Sequence, residues 1–240
     1  MHESGPLPTD NGFDGELNGS RRFGFVPESA IELPAAQTRA TITGMNLIHV
    51  SSGHALWPVI SLFIRTTYLD HYSAQIASLP ANIVALVDER NKVLCAAGLR
   101  DRSEAFFSEL YLDRPIEAVL SELAGRPVER HEVAEVSSLA SRTPAASVQF
   151  MRELILYGDT LCFNWAFFTA TERLQKLLQR IRLPLIDLGA ARRDRVPSPE
   201  LWGSYYETNP RVLAIGRDDL APFLVREAEA ETALGVCANG

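Results

Sequence analysis

Cysteine and histidine are scarce in this 240-residue sequence, and neither is spaced as a metal or disulfide site requires. The three cysteines, Cys95, Cys162 and Cys237, are far apart and odd in number, and the five histidines are scattered. Zinc ligands recur at short spacings, and disulfide frameworks use an even count of cysteines. We therefore predict no metal site and no disulfide framework, which favours a reducing compartment.

Long apolar runs and positive charge are also lacking. The longest apolar run, Ala55–Ile64, contains Pro58 and is far shorter than the roughly 20 residues that span a bilayer. The first forty residues contain no apolar core of a secretory signal. The net charge of −7 argues against nucleic-acid binding, which needs a basic surface. We expect a cytoplasmic protein without a transmembrane segment or a nucleic-acid partner.

What remains is the composition of a soluble globular protein, 46% hydrophobic and 22% charged. Residues 1–40 are rich in Gly, Pro, Asn and Asp and show no lasting period, which predicts a flexible arm. Residues 226–240 show no lasting helix or strand pattern, which predicts a C-terminal tail. The intervening residues 41–225 alternate between strand and helix patterns. They predict one α/β (or α+β) domain, with a mixed central sheet covered by helices on both faces.

Four segments of this domain matter for a functional site. Residues 82–88 and 92–99 form a predicted β-hairpin, and Phe106–Leu112 is a further predicted strand. The long run Val128–Ser141 is a predicted central strand. Thr143 and Pro144 predict the start of a helix that ends at Leu156 before Gly158.

The central strand carries a carboxylate among apolar residues. Alternation places Glu135 on one face of the sheet with His131, Ser137 and Leu139. A buried carboxylate is costly unless it is paired or used. Two alternatives stay open: Glu135 is a general base with a raised pKa, or it pairs with an arginine and only holds the sheet together.

The sequence contains no G-x-S-x-G nucleophile elbow and no glycine-rich phosphate loop. Over residues 45–217 it instead resembles the thermostable hemolysin family. The segments that carry the resemblance are A-A-G-L-R (Ala96–Arg100), F-F-S-E-L-Y-L-D-R-P-I-E (Phe106–Glu117), A-E-V-S-S-L-A-S (Ala134–Ser141), F-F-T-A-T (Phe167–Thr171) and W-G-S-Y-Y-E-T-N-P-R-V (Trp202–Val212).

A more distant resemblance concerns mechanism. E-V-S-S-L-A (Glu135–Ala140) is similar to the E-x-S-R core strand of acyl-homoserine-lactone (autoinducer) synthases and N-acyl amino acid synthases, and G-L-R (Gly98–Arg100) is similar to their G-x-R-L. These enzymes share the GNAT acyltransferase fold, so the resemblance implies a GNAT-like domain. Ser138 stands where the synthases carry arginine, which leaves the amine substrate open. R-T-P-A-A-S (Arg142–Ser147) replaces the pyrophosphate loop of acetyl-CoA enzymes.

The resemblance implies an N-acyltransferase that moves a fatty acyl group to an amine or amino acid. The co-substrate would be an acyl-CoA or an acyl carrier protein thioester, with no covalently bound cofactor. Backbone N–H groups near Ser138–Ala140 could stabilise the oxyanion. The candidate catalytic residues are Glu135 and Tyr205, of which Tyr205 would protonate the leaving thiolate. The candidate substrate-binding residues are Arg100, Ser137, Ser138, Leu139, Phe168, Trp202 and Tyr206. The candidate acyl-donor residues are Arg142, Ser147, Arg192 and Arg193.

Plainer interpretations accompany each of these residues. The phenylalanines that could line an acyl tunnel, Phe106, Phe107, Phe163, Phe167 and Phe168, are equally typical of a core. Arg192 and Arg193 could lie on a solvated loop, and Thr169 is predicted to cap a helix. Two other functions also stay open: a membrane-active hemolysin, which predicts an exposed apolar patch, and a catalytically inactive GNAT-like binding module.

Overall fold

A mixed β-sheet organises the part of the chain that this computed structural model describes, residues 36–40, 45–226 and 229. The strands are β1 (Ala36–Ala40), β2 (Asn46–Ser51), β3 (Asn82–Val87), β4 (Val93–Arg100), β5 (Val133–Ser141), β6 (Trp165–Ala170), β7 (Ile186–Ala190) and β8 (Arg211–Gly216). The α-helices are α1 (Trp57–Tyr72), α2 (Ile116–Ala124), α3 (Pro144–Thr160) and α4 (Glu172–Arg180). Short 3-10 helices occur at Ser108–Tyr111, Arg130–Glu132, Arg193–Arg195, Pro199–Trp202, Tyr205–Thr208 and Asp218–Leu220.

The strand order within these residues is β1-β2-β3-β4-β5-β6-β8-β7. Only β5 and β6 pair in parallel, and α3 supplies the crossover that a parallel pair requires. β1 pairs with β2, so Ala36–Ala40 form a strand although the sequence placed them in the arm. The other arm residues and nearly all of the tail lie outside the described residues.

Helices cover both faces of the sheet, as predicted. On β3, Ile83 and Ala85 pack towards α1, whereas Val84 and Leu86 pack towards α3. The same alternation continues on β6, where Phe167 belongs to the core beside α2 and Phe168 to the core beside α3. Because side chains alternate along a strand, α1 and α2 lie on one face and α3 and α4 on the other. The pattern of buried residues therefore follows strand periodicity.

Two predicted elements were wrong. The segment predicted as a strand at Phe106–Leu112 contains a 3-10 helix, because its backbone N–H groups at Phe107 and Ser108 point to a buried carboxylate instead of a neighbouring strand. α3 continues to Thr160 through Gly158. A glycine in a helix interior costs only about 0.5–1 kcal/mol relative to alanine, which the packing of this long helix outweighs.

A β-bulge interrupts the pairing of β4 with β5. Ala96 pairs with Ala140 and Gly98 with Ser137, so Ser138 and Leu139 together oppose a single residue of β4. Ser138 has φ of 51°, the left-handed conformation typical of such bulges. The extra residue turns Leu139 towards the α3 core, so its predicted place on the face of Glu135 was wrong. His131 lies before the strand, in the Arg130–Glu132 turn.

Beyond the bulge, β5 and β6 separate. Their pairing ends at Val136 and Phe168, although β5 continues to Ser141 and β6 to Ala170. An antiparallel sheet with one splayed parallel pair and a bulge beside the gap is the GNAT-like acyltransferase fold, and the predicted fold is confirmed. Among the described helices, none is long and apolar enough to cross a membrane.

Candidate active site

Glu135 lies fully buried beneath the loop that precedes α2. Its carboxylate accepts hydrogen bonds from the backbone N–H of Phe107 at 2.7 Å and of Ser108 at 2.6 Å. Nη1 of Arg100 lies 3.2 Å from the same carboxylate and donates to Ser137 Oγ at 2.8 Å. Glu135 was predicted to be either a general base or the partner of an arginine. Its contacts favour the second role, in which it pairs with Arg100 and fixes the loop.

Two residues of this site, Ser108 and Thr169, were not predicted as site residues from the sequence. Thr169, on β6, donates from Oγ1 to the hydroxyl of Ser108 at 2.9 Å. The prediction that Thr169 caps a helix was wrong, because the N-cap of α4 is Thr171, which accepts from the N–H of Leu174. Glu135 fixes the position of Ser108 by accepting from its backbone N–H. Thr169 lies on β6 directly after the point where the pairing with β5 ends.

A cavity of about 280 Å³ opens on the α1 face of the sheet, and we call it the aromatic cavity. Arg100, Ser108 and Thr169 line its floor near the gap between β5 and β6. Its aromatic walls are Tyr68, Phe107, Tyr111, Trp202 and Tyr205. Among the residues predicted to bind substrate, Arg100, Ser137, Ser138 and Trp202 lie on this cavity together with Tyr205.

The aromatic rings of this cavity pack on one another. The ring centroid of Trp202 lies 5.2 Å from that of Phe107 and 5.3 Å from that of Tyr205. Burial, followed by the neighbouring phenol of Tyr68, raises the pKa of Tyr205 well above its ordinary value. Tyr205 therefore remains a neutral phenol, which is a weak acid but can still donate a hydrogen bond.

A second cavity, of about 110 Å³, lies on the opposite face between the sheet and α3; we call it the apolar cavity. Most of its wall is aliphatic or aromatic, and it includes Leu139, Phe163 and Phe168. Phe106 and Phe167 do not line it; their rings lie edge to face at 5.2 Å in the core beside α2. Two of the five phenylalanines named for an acyl tunnel therefore line this cavity, while Phe107 lines the aromatic cavity.

The two cavities have common lining residues where β5 and β6 separate. Ser137, Ser138 and Thr169 line both of them. The bulge at Ser138 lies at this junction, where backbone N–H groups are released from the regular pairing. The site thus consists of an aromatic cavity and an apolar cavity on opposite faces of the sheet, which share three lining residues beside the bulge.

The remaining predicted residues lie apart from this junction. Tyr206 directs its hydroxyl to that of Tyr111 at 2.8 Å and lines an open cleft with Arg192 and Arg193. Arg192 pairs with Asp194 on the exposed surface.

The residues predicted to bind the acyl donor do not form one group. Arg142 lies over the ring of Phe63 and near Asp70 of α1, and Ser147 donates to Ser141 Oγ. Arg142 follows β5 and Arg192 follows β7, three strands away, which corresponds to about 14 Å at the usual strand spacing. In the part of the chain that the structure describes, no cluster of His, Cys, Asp or Glu could hold a metal.

The splayed strands and the bulge are those of a GNAT-like fold. The chain belongs to the thermostable hemolysin family, whose sequence profile matches residues 50–220. No curated protein matches the sequence.

Several solved structures resemble the chain. The AHL synthase LasI is 10% identical with a TM-score of 0.49, covering 72% of this chain and 89% of that one. FeeM, an N-acyl amino acid synthase from uncultured soil microbes, is 14% identical with a TM-score of 0.46, covering 71% and 91%. A GCN5-related N-acetyltransferase from Kribbella flavida is 15% identical with a TM-score of 0.40, covering 73% and 99%. At these values neither a substrate nor a reaction carries over to this chain.

Proposed function

We propose that the protein is an N-acyltransferase that moves an acyl group from a thioester to an amine or amino acid. The observation that carries the proposal is the pair of cavities that share Ser137, Ser138 and Thr169. Acyl transfer needs two substrates brought together at one reacting carbon, and most of the rate can come from such positioning. A chamber for each substrate on opposite sides of a strand gap meets that need.

The apolar cavity suits the acyl group. Its volume is below the roughly 150 Å³ of an apolar cavity that takes up benzene, so it favours an unbranched chain over a ring. Met151 on its wall is unbranched and adaptable, so it can yield to a longer chain. The thioester itself would lie at the shared junction, within reach of backbone N–H groups at the bulge that would stabilise the oxyanion.

The aromatic cavity suits the acceptor amine. The hydrogen bonds of Arg100 all use Nη1, although a guanidinium offers five N–H donors. Nε and Nη2 remain able to bind a carboxylate or carbonyl of the acceptor. The aromatic walls would hold its apolar part.

The reaction follows from this placement. The neutral amine nitrogen attacks the thioester carbonyl carbon, the C–N bond forms, the C–S bond breaks, and the proton that the nitrogen loses passes to the leaving thiolate. Tyr205, a neutral phenol, would donate a hydrogen bond to that thiolate and could relay the proton to it. Glu135 would act by ordering Phe107 and Ser108 rather than by taking the proton, because three donors already occupy its carboxylate.

The test is turnover by the pure protein with acyl-CoA and acyl carrier protein thioesters and a panel of amines. Release of free thiol and the mass of an N-acyl product are the readouts. Ala166→Leu fills the apolar cavity, whereas Ala55→Leu makes the same change at an exposed alanine outside both cavities. We expect turnover that Ala166→Leu abolishes and Ala55→Leu leaves intact. Absence of product with every thioester and amine would remove the proposal.

A second candidate, direct membrane lysis, is favoured by one feature of α1. Val59, Leu62 and Leu69 are each at least half exposed on its outer side, at spacings that place them close to one side of the helix. Leakage of a dye from phosphatidylcholine vesicles separates the two functions. Leakage by pure protein alone that Leu62→Gln reduces would support direct lysis, while leakage only after thioester and amine are added would assign lysis to an acylated product.

A further inference from the structure

The far end of the apolar cavity carries an ion pair in an otherwise uncharged wall. Asp159 and Arg217 are the only charged residues of the described chain that line the cavity. Arg217 Nη2 lies 3.0 Å from Asp159 Oδ1, and each side chain is about one third exposed, at 35% and 34%. The pair therefore lies between an apolar interior and solvent.

The two charges come from elements on either side of the cavity. Asp159 belongs to the last turn of α3, and Arg217 follows β8 directly. The backbone N–H of Arg217 donates to the carbonyl of Asn164 at 2.9 Å, which fixes it beside the start of β6. The ion pair thus bridges the helix and the sheet at the edge where the cavity ends.

The register of β6 gives the length of the cavity. Thr169 lies at the junction of the two cavities, and Trp165, four residues earlier on the same strand, lies near the ion pair and also lines the apolar cavity. Four strand residues span about 13 Å. An acyl chain that enters at the junction and runs along β6 therefore heads towards the pair, and the volume of about 110 Å³ limits it to a short chain.

We propose that the Asp159–Arg217 pair closes the apolar cavity and limits the length of the acyl chain that the protein accepts. This inference rests on the proposed acyl-transfer function and adds to it the class of donor, a short unbranched chain. A longer chain would have to part the two charges and bring its tail against them, which costs their mutual attraction and part of their hydration.

The test measures chain length in two independent ways. Turnover is followed with straight-chain thioesters of about four to about sixteen carbons, and binding is followed by displacement of a fluorescent fatty acid by fatty acids of the same lengths. Arg217→Ala and Asp159→Ala open the far end. Arg114→Ala, which breaks the exposed Arg114–Glu122 pair outside the cavity, is the matched control.

We expect the parent and the control to lose binding steeply beyond the same short chain length, and the two opening variants to bind the longest chains about tenfold more tightly. The charge-swapped protein, Asp159→Arg with Arg217→Asp, should return the cutoff to that of the parent. An unchanged cutoff in folded opening variants would overturn the inference. If they unfold, a charge-swapped protein that folds but loses the parental cutoff would overturn it.

The binding readout separates this inference from the proposed function. A parent protein without turnover that still shows the cutoff in fatty-acid displacement would remove the N-acyltransferase and leave the ion-pair limit in place. A parent that turns over thioesters with no dependence on chain length would remove the ion-pair limit and leave the N-acyltransferase in place. Failure of both turnover and fatty-acid binding would remove both.

Discussion

Replacing Glu135 by glutamine separates an anchoring role from a role as base. Glutamine keeps the shape of the side chain, but one of its two terminal atoms becomes an N–H₂ donor. In the parent, both oxygens accept backbone N–H groups, one from Phe107 and one from Ser108, and Arg100 adds a third donor. The glutamine amide can therefore accept hydrogen bonds only at its oxygen. Its N–H₂ group would face a backbone N–H that has lost its acceptor.

The size of the effect follows from these contacts. A buried N–H left without an acceptor costs about 1–3 kcal/mol. Removing one charge of a buried pair costs about 3–5 kcal/mol, because the partner, here Arg100, stays buried without its counter-charge. The two costs overlap, since both arise at one carboxylate, so we expect Glu135→Gln to lower the free energy of unfolding by about 3–5 kcal/mol. That is a large share of the roughly 5–15 kcal/mol typical of a domain.

The assay is urea denaturation of the parent and of Glu135→Gln, with Glu122→Gln in the exposed pair to Arg114 as the matched control. We expect a large fall in the urea midpoint for Glu135→Gln and none for the control. Thiol release measured well below that midpoint should be partly retained, because anchoring and not proton transfer is lost. A variant as stable as the parent, but without turnover, would refute this reasoning and restore Glu135 as the base.

Three further changes test other parts of the structure. Ser138→Gly should leave stability nearly unchanged, whereas Ser138→Val should lower the unfolding free energy by about 1–2 kcal/mol, because φ is 51° there; urea titrations measure both. Gly203→Ala should destabilise the protein and loosen the Trp202 wall, because φ is 49° and a Cβ would overlap the carbonyl oxygen of Tyr72; tryptophan fluorescence and the urea midpoint report both effects. Burial lowers the pKa of His49, so below pH of about 6.5 the unfolded chain binds more protons than the folded one and stability falls; urea midpoints at two pH values should show this loss, and His49→Asn should remove it.

The sequence predicted what depends on periodicity. The β3–β4 hairpin, the covered sheet and the helix start at Pro144 all follow from local patterns, and the structure contains each of them. Arg100, Ser137, Ser138, Trp202 and Tyr205 were chosen from family-like segments, and the structure places them on one cavity. Such residues are predictable because their segments combine a regular element with unusual polar or aromatic side chains.

What the sequence could not predict depends on contacts between distant segments. The 3-10 turn at Ser108 forms because its backbone N–H meets a carboxylate 27 residues later in the chain. The bulge at Ser138 depends on how β4 aligns with β5, and no local pattern marks it. The separation of Arg142 from Arg192 likewise follows from the order of β6, β8 and β7 in the sheet, since both arginines look alike in sequence.

The bulge and Glu135 together explain why a buried carboxylate lies so near the junction without lining it. Glu135 is three residues before Ser138 on β5, so the strand that opens the gap also holds the loop that closes one side of the aromatic cavity. A carboxylate that accepts from three donors is a rigid anchor, and rigidity is what a site that works by positioning requires. The amine proton must then leave by another route, and the aromatic cavity offers phenols and hydroxyls but no second carboxylate among its described lining residues. Catalysis at this junction would therefore depend on the fraction of amine that arrives neutral, and the rate should rise with pH towards the pKa of the acceptor amine.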